Sequence, residues 1–208
     1  MSVKSILFNT EMVRAILDGR KTCTRRIVKG FIPDDAIWGY TMFTPKGCIS
    51  CRGVYADEYG EKFFRLPYRQ GDTLYIRETW CKGSWMNEKE RYYYKADDND
   101  FLCTWRPSIH MPKEAARIWL KVTDVRVERL QDITEDGAKA EGANWKNGKN
   151  VDWEEKMNRT AIERFAEIWN STIKKSDLDR YGWVANPGVW VIEFERCEKP
   201  KEERKWQK

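Results

Sequence analysis

Histidine is all but missing from this chain: His110 is the single one in 208 residues. Long apolar runs are missing too. No stretch approaches the roughly 20 apolar residues that a bilayer-spanning helix needs, so no membrane span is expected. The opening "MSVKSILF" has no long apolar run behind it, and no signal peptide is expected. These absences predict a cytoplasmic protein. Thiols stay reduced there, so Cys23, Cys48, Cys51, Cys81, Cys103 and Cys197 are all expected to be free. Paired metal-ligand motifs are lacking as well. Cys48-Ile-Ser-Cys51 has the spacing of half a zinc knuckle, but only Cys81, Cys103 and His110 are available to complete it. Two free cysteines in a hairpin is the preferred reading, and neither a metal nor a cofactor is expected. His110 lies between Pro107 and Pro112, in a rigid loop that it fixes or where it lines a cleft. No internal repeat is found.

Tryptophan, by contrast, is abundant, with 11 copies. Such rings fill a bulky core or stay exposed to stack on bases. A formal net charge of +5 permits an anionic partner without demanding one. Residues 3–8 read as a strand. Asn9 or Thr10 caps a helix with Met12, Val13, Ile16 and Leu17 on one face, and Gly19 stops it. Strands are predicted at 22–28, within 37–44, at 71–80 and around 91–96. Alternation over 116–130 changes phase between Val122 and Val125, which predicts a bulge or break at Thr123–Asp124. Thr134 caps a short helix over 135–141. A longer helix is expected over about 153–170, with Trp153, Met157, Ala161, Phe165, Ile168 and Trp169 inward. "PGVWVIEFERC" closes the pattern as a strand. The fold class is therefore α+β: a curved sheet or small β-barrel with flanking helices. Residues 1–197 are read as one domain, with loop-rich insertions at about 45–70 and 82–107, and 198–208 as a charged flexible tail.

Three places bear chemistry. "GRKTCTRR", residues 19–26, sets Lys21 among Arg20, Arg25 and Arg26, just after the helix stop. Nearby cations disfavour an ammonium, and a threonine hydroxyl three residues on, Thr24, makes a nucleophile–base pair with a partly neutral amine. A solvated basic turn is the plainer reading. Glu141 falls at a helix C-terminus, where the dipole disfavours a carboxylate; an exposed glutamate before a glycine cap explains it equally. Glu78 shares a strand face with Leu74, Ile76 and Trp80. A carboxylate there must be paired, protonated or at a site, with Arg20, Lys21, Arg25 and Arg26 as candidate partners. In "WVANPG", Trp183 and Asn186 are fit to stack on a base and hydrogen-bond its edge, or to build a turn.

These stretches together resemble the ASCH domain family of the PUA-like superfamily. The run Gly19-Arg20-Lys21-Thr22-Cys23-Thr24-Arg25-Arg26, then "GDTLYIRETW", then "VTDVRVERLQDITEDGAKAEGA" match in order, and "YGWVANPGVWVIEF" is similar to the larger phage and prophage members. The resemblance implies a PUA-like β-barrel with a nucleoside or RNA cleft. Some small bacterial members hydrolyse N(4)-acetylcytidine, and their catalytic lysine, threonine and glutamate match Lys21, Thr24 and Glu141. Arg20, Arg25, Arg26, Glu78, Trp183 and Asn186 are then the substrate-binding candidates. The chain is longer than those amidohydrolases, mostly between Thr24 and Glu141. It is thus expected to be an amidohydrolase, a non-catalytic RNA or nucleotide module, or a phage accessory protein that meets a protein partner through the insertions.

Overall fold

Strand β1 (Val3–Leu7) gives way to a helix because Asn9 captures its first turn. The Asn9 side chain accepts a hydrogen bond from the Met12 amide at 2.9 Å. Helix α1 (Thr10–Leu17) buries Val13, Ala15 and Ile16 and stops at Gly19, whose φ of +72° is left-handed. The computed structural model describes residues 2–30, 32–33, 35–52, 60–84, 89–97, 103–143 and 159–200. Seven strands follow: β2 (Cys23–Ile27), β3 (Ile37–Gly39), β4 (Cys48–Arg52), β5 (Glu61–Arg65), β6 (Thr73–Arg77), β7 (Trp80–Gly83) and β8 (Arg91–Tyr94). Next come β9 (Trp119–Arg129), α2 (Glu135–Ala140), α3 (Ala161–Thr172), α4 (Leu178–Tyr181) and β10 (Gly188–Cys197).

Helices and mixed sheets make the chain α+β. Five strands hydrogen-bond in the order β1-β6-β9-β10-β2, three in the order β3-β4-β5, and β7 pairs with β8. β1 runs parallel to β6, while β9 opposes β6 and β2 opposes β10. The five-stranded sheet is open, with β1 and β2 at its edges. The expected barrel does not close among the described residues.

The contacts divide the chain into two units. One holds the described parts of 1–19, 70–123 and 194–208, the other those of 20–69 and 124–193. In the first, Trp80, Met111, Ala115, Ala116 and Trp119 form a buried cluster edged by Tyr75, Tyr92 and Tyr94. In the second, Leu130, Ile133, Ala138, Phe165, Trp169, Val189 and Val191 belong to another. There the Glu135 carboxylate accepts the amides of Ala161 and Ile162 at 2.9 and 3.3 Å, so a side chain of α2 caps α3.

Several expectations need correction. The strand over 71–80 breaks after Arg77, because the Glu78 amide donates to Met111 Sδ (3.2 Å) instead of a ladder carbonyl. Over 37–44 only Ile37–Gly39 is strand; a turn follows, with Thr44 N donating to Thr41 O at 3.0 Å. Over 45–70, read as an irregular hairpin or a long loop, the antiparallel strands β4 and β5 make it the hairpin. β9 runs through Thr123–Asp124 unbroken, and the boundary between units falls there instead. The long helix begins at Ala161, since Thr160 and Glu163 cap it reciprocally; Trp153 and Met157 lie outside the described residues. Cys81 and Cys103 are joined in a disulfide with a Cα–Cα distance of 6.5 Å, so only Cys23, Cys48, Cys51 and Cys197 are free. Position decides the pairing: β7 sets Cys81 within disulfide reach of Cys103. No helix among the described residues is long and apolar enough to cross a membrane.

Candidate functional site

Lys21 leaves the helix stop as part of a bridge, not as a solvated turn. Its backbone pairs antiparallel with Glu141, and the adjacent Thr22 amide donates to Ala140 O at 2.8 Å. The end of α2 makes this possible. Gly142, at φ +87°, sends its amide to Lys139 O (2.8 Å), and Ala143 sends its own to Ala138 O (3.1 Å). These two bonds form the paired C-terminal closure that a left-handed glycine permits. They leave Glu141 as the residue on which the helix ends.

The carboxylate that looked misplaced against the helix dipole is held by two cations. Lys21 Nζ lies 2.5 Å from Glu141 Oε2 and also donates to the Glu141 carbonyl at 2.9 Å. Arg25 Nη1 lies 3.4 Å from Oε1. All three side chains are at most 5% exposed, and ions that far from water persist only when paired. The charges continue outward. Arg25 Nη2 meets Glu128 at 3.1 Å, and Glu128 meets Arg126 at 2.6 Å. Arg126 also holds Asp124 (3.0 Å) and Glu193 (2.5 Å); burial works against its charge, but Glu193, Glu128 and Asp124 together raise its guanidinium above its ordinary range. Glu128 and Arg126 were missed in the sequence. Their signal is polar alternation in β9, where Asp124, Arg126 and Glu128 share a face.

Strand alternation splits the basic run between two faces. Cys23 and Arg25 turn toward α2: Cys23 Sγ lies 3.9 Å from Gly137 O. Burial first, then the Glu141 charge, pushes the Cys23 thiol up to about 12, against Lys21 and Arg25; it is an inert neighbour. Thr24 and Arg26 occupy the other face. The Thr24 hydroxyl is buried and accepts a hydrogen bond from Arg26 Nη1 at 2.7 Å, and the same nitrogen donates to Arg25 O at 2.9 Å. Burial holds the Arg26 guanidinium below its usual value, partly offset by Glu141 and Tyr68. Lys21 and Glu141 are thus in direct contact, whereas the hydrogen bond of Thr24 goes to Arg26. Arg20 is half-buried.

Glu78 belongs to the first unit and is buried, but its partner is not the 20–26 run. Arg117 grips both carboxylate oxygens, Nε at 2.9 Å and Nη2 at 3.0 Å, while its Nη1 takes Asp97 at 2.7 Å. The same guanidinium lies 4.0 Å over the Tyr94 ring. Trp183 packs edge-on against Phe165, with centroids 6.2 Å apart, and borders a cavity of about 520 Å³ with Asn170, Leu178 and Val184. Asn186, at φ +44°, accepts the Gln131 amide at 2.8 Å on its side-chain oxygen. The turn uses both residues. His110 is exposed. Cys48 and Cys51 sit on β4, and no three His, Cys, Asp or Glu side chains among the described residues are grouped to hold a metal.

No protein-family model matches the chain, and no curated protein matches it in sequence. Among solved structures it is similar to an ASCH domain from Lactobacillus crispatus JV V101, with 11% identity and a TM-score of 0.37, over 94% of this chain and 79% of that one. The α+β class rests on the chain's own strands and helices.

Proposed function

We propose that residues 1–197 form an ASCH-type, PUA-like domain of the larger phage type that works in the cytoplasm. In this reading it binds a nucleoside or RNA and hydrolyses the amide of an N-acylated cytidine such as N(4)-acetylcytidine. The observation that carries it is the buried contact of Lys21 with Glu141, two charged groups 120 residues apart. Glu141 holds the Lys21 amine in place, and Lys21 serves as the base. Thr24 Oγ then attacks the acyl carbon and its proton passes to Lys21. Arg26, already donating to that oxygen, steadies the negative charge that develops on it. Lys21 returns the proton to N(4) as cytidine leaves. Water next attacks the acyl-threonine ester, giving its proton to Lys21 and then to Thr24, and acetate departs. Arg20, Trp183 and Asn186 contact the substrate. Glu78 has no part here, since Arg117 engages both of its oxygens.

The test is incubation with N(4)-acetylcytidine and chromatographic detection of cytidine. Thr24→Ser is expected to keep part of the turnover and Thr24→Val to lose it. Lys21→Met should lose it too, with circular dichroism confirming the fold. Turnover that survives Lys21→Met unchanged removes this mechanism. One observation favours a second reading: the side chains of Lys21 and Glu141 are 0% and 5% exposed, closed off from a substrate. Lys21, Arg25 and Glu141 then only lock the end of α2 to β2 and the residue run before it, in an RNA- or nucleotide-binding module or an accessory protein that meets a protein through the 45–70 and 82–107 insertions. The mark of that reading is an absence of cytidine from every acylated substrate.

A further inference from the structure

The sheet β3-β4-β5 has one face that is partly open around a buried Ser50. Its register pairs Ile37 with Arg52 and Arg52 with Glu61 in one row. Gly39, Ser50 and Phe63 make the next row, and Cys48 with Arg65 the third. Residues directly opposite share a face, so these rows lie on one side. The other side carries Trp38, Ile49, Cys51 and Phe64; Ile49 and Cys51 are buried, and the Trp38 and Phe64 rings are 5.3 Å apart. The partly open side keeps Phe63 43% exposed beside the buried Ser50. Just past β3, Tyr40 and Phe43 are 66% and 76% exposed. Their turn is pinned by Thr41 N donating to Thr44 Oγ at 2.8 Å. Rings this exposed add little to the core, and large apolar groups left open along one stretch of chain mark a contact surface.

Charge says what it contacts. Lys46, Arg52 and Arg65 are exposed and, among the described residues, take part in no ion pair. Glu61 is the single carboxylate in the three strands. Exposed rings, with cations that join no ion pair among the described residues, match a polyanion whose bases are free to stack, and a duplex hides its bases. We propose that this face, with the turn carrying Tyr40 and Phe43, is a docking surface for single-stranded nucleic acid. It extends the nucleic-acid part of the function proposed above and is independent of the chemistry at Lys21.

Fluorescence anisotropy of the full chain with a fluorescein-labelled 12-mer of uridylate, and with the same strand annealed to its complement, tests this. The single strand is expected to bind more tightly than the duplex. Phe63→Ala, and separately Tyr40→Ala with Phe43→Ala, should weaken it about 5- to 100-fold per ring that stacks. Arg52→Gln with Arg65→Gln should reduce the slope of log affinity against log salt by about 1.4. Lys21→Met should leave strand affinity unchanged, and the platform variants should leave turnover of free N(4)-acetylcytidine unchanged. Strand binding without turnover removes the catalytic reading alone; turnover without strand binding removes the platform alone. The proposal is overturned if the chain does not bind the strand at 50 mM salt, if affinity survives loss of the rings, or if the duplex binds as well. A protein partner or a second copy of the chain is then the occupant of the face.

Discussion

Replacing Arg117 by methionine isolates a buried carboxylate, and the cost of that can be worked out. Glu78 has a side chain 2% exposed, and its two oxygens rest on Arg117. In Arg117→Met the carboxylate has two options: to stay charged without a partner, or to take up a proton. An unpartnered buried charge costs about 3–5 kcal/mol. Protonation costs about 1.4 kcal/mol for every pH unit above the ordinary glutamate value, or about 3.5 kcal/mol at pH 7. The cheaper route caps the ionic part of the loss near that figure, and the lost stacking on Tyr94 adds about 0.5–1 kcal/mol. Even in the native chain, burial pushes the Glu78 carboxyl up while Arg117 pulls it down. The folded chain therefore holds this proton more tightly than the unfolded one. Stability falls as pH rises from the unfolded value through the folded one, and levels off above it. Arg117→Met moves the folded value higher and widens that window. Urea unfolding is thus expected to show a deficit of up to about 4 kcal/mol at pH 7, shrinking to about 1–2 kcal/mol at pH 5. Adding Glu78→Met should recover most of it, because an apolar pair of similar volume replaces the ions. A deficit equal at both pH values, or unmoved by the second change, would refute a charge-based account.

Further outcomes follow from the same contacts. Thr134→Ala removes the oxygen that accepts the Gly137 amide at 3.0 Å and should cost about 1 kcal/mol in urea unfolding. The Cys23 thiol, pushed up to about 12, should resist iodoacetamide at pH 8 in the folded chain and react on denaturation, as peptide mass spectrometry reads; fast native labelling contradicts its burial. The Cys81–Cys103 bond spans 22 residues, a loop whose closure stabilises by about 3 kcal/mol in the chain-entropy model. Reductant should lower the melting temperature of the wild type and leave that of Cys81→Ser with Cys103→Ser unmoved.

Local signals in the sequence were the reliable ones. Asn9, Thr134 and Gly19 mark helix ends by bonds within three residues, and α1, α2 and β10 stand close to where those signs put them. Glu141 was conspicuous because the helix dipole is also local. What escaped notice depends on distant partners. The break at Glu78 is set by Met111, 33 residues on, and the partner of Glu78 comes from position 117. Asp124, Arg126 and Glu128 looked like a phase error among hydrophobics, since nothing near them announces Arg25. The hydrogen bond of Thr24 needs strand alternation to be seen, since it puts Arg26, two residues on, on the same face.

The Lys21–Glu141 bridge closes a loop of 120 residues, and the entropy of closing a loop rises only with the logarithm of its length. Each doubling adds about 0.6 kcal/mol. Chain inserted between the two halves of the pair is therefore almost free of cost to the pair itself. The three-stranded sheet and the β7–β8 hairpin both lie within that span of sequence. A chain that keeps Lys21 and Glu141 can lengthen the stretch between them and acquire new surfaces there, while the contact that anchors its two ends stays as easy to form as before.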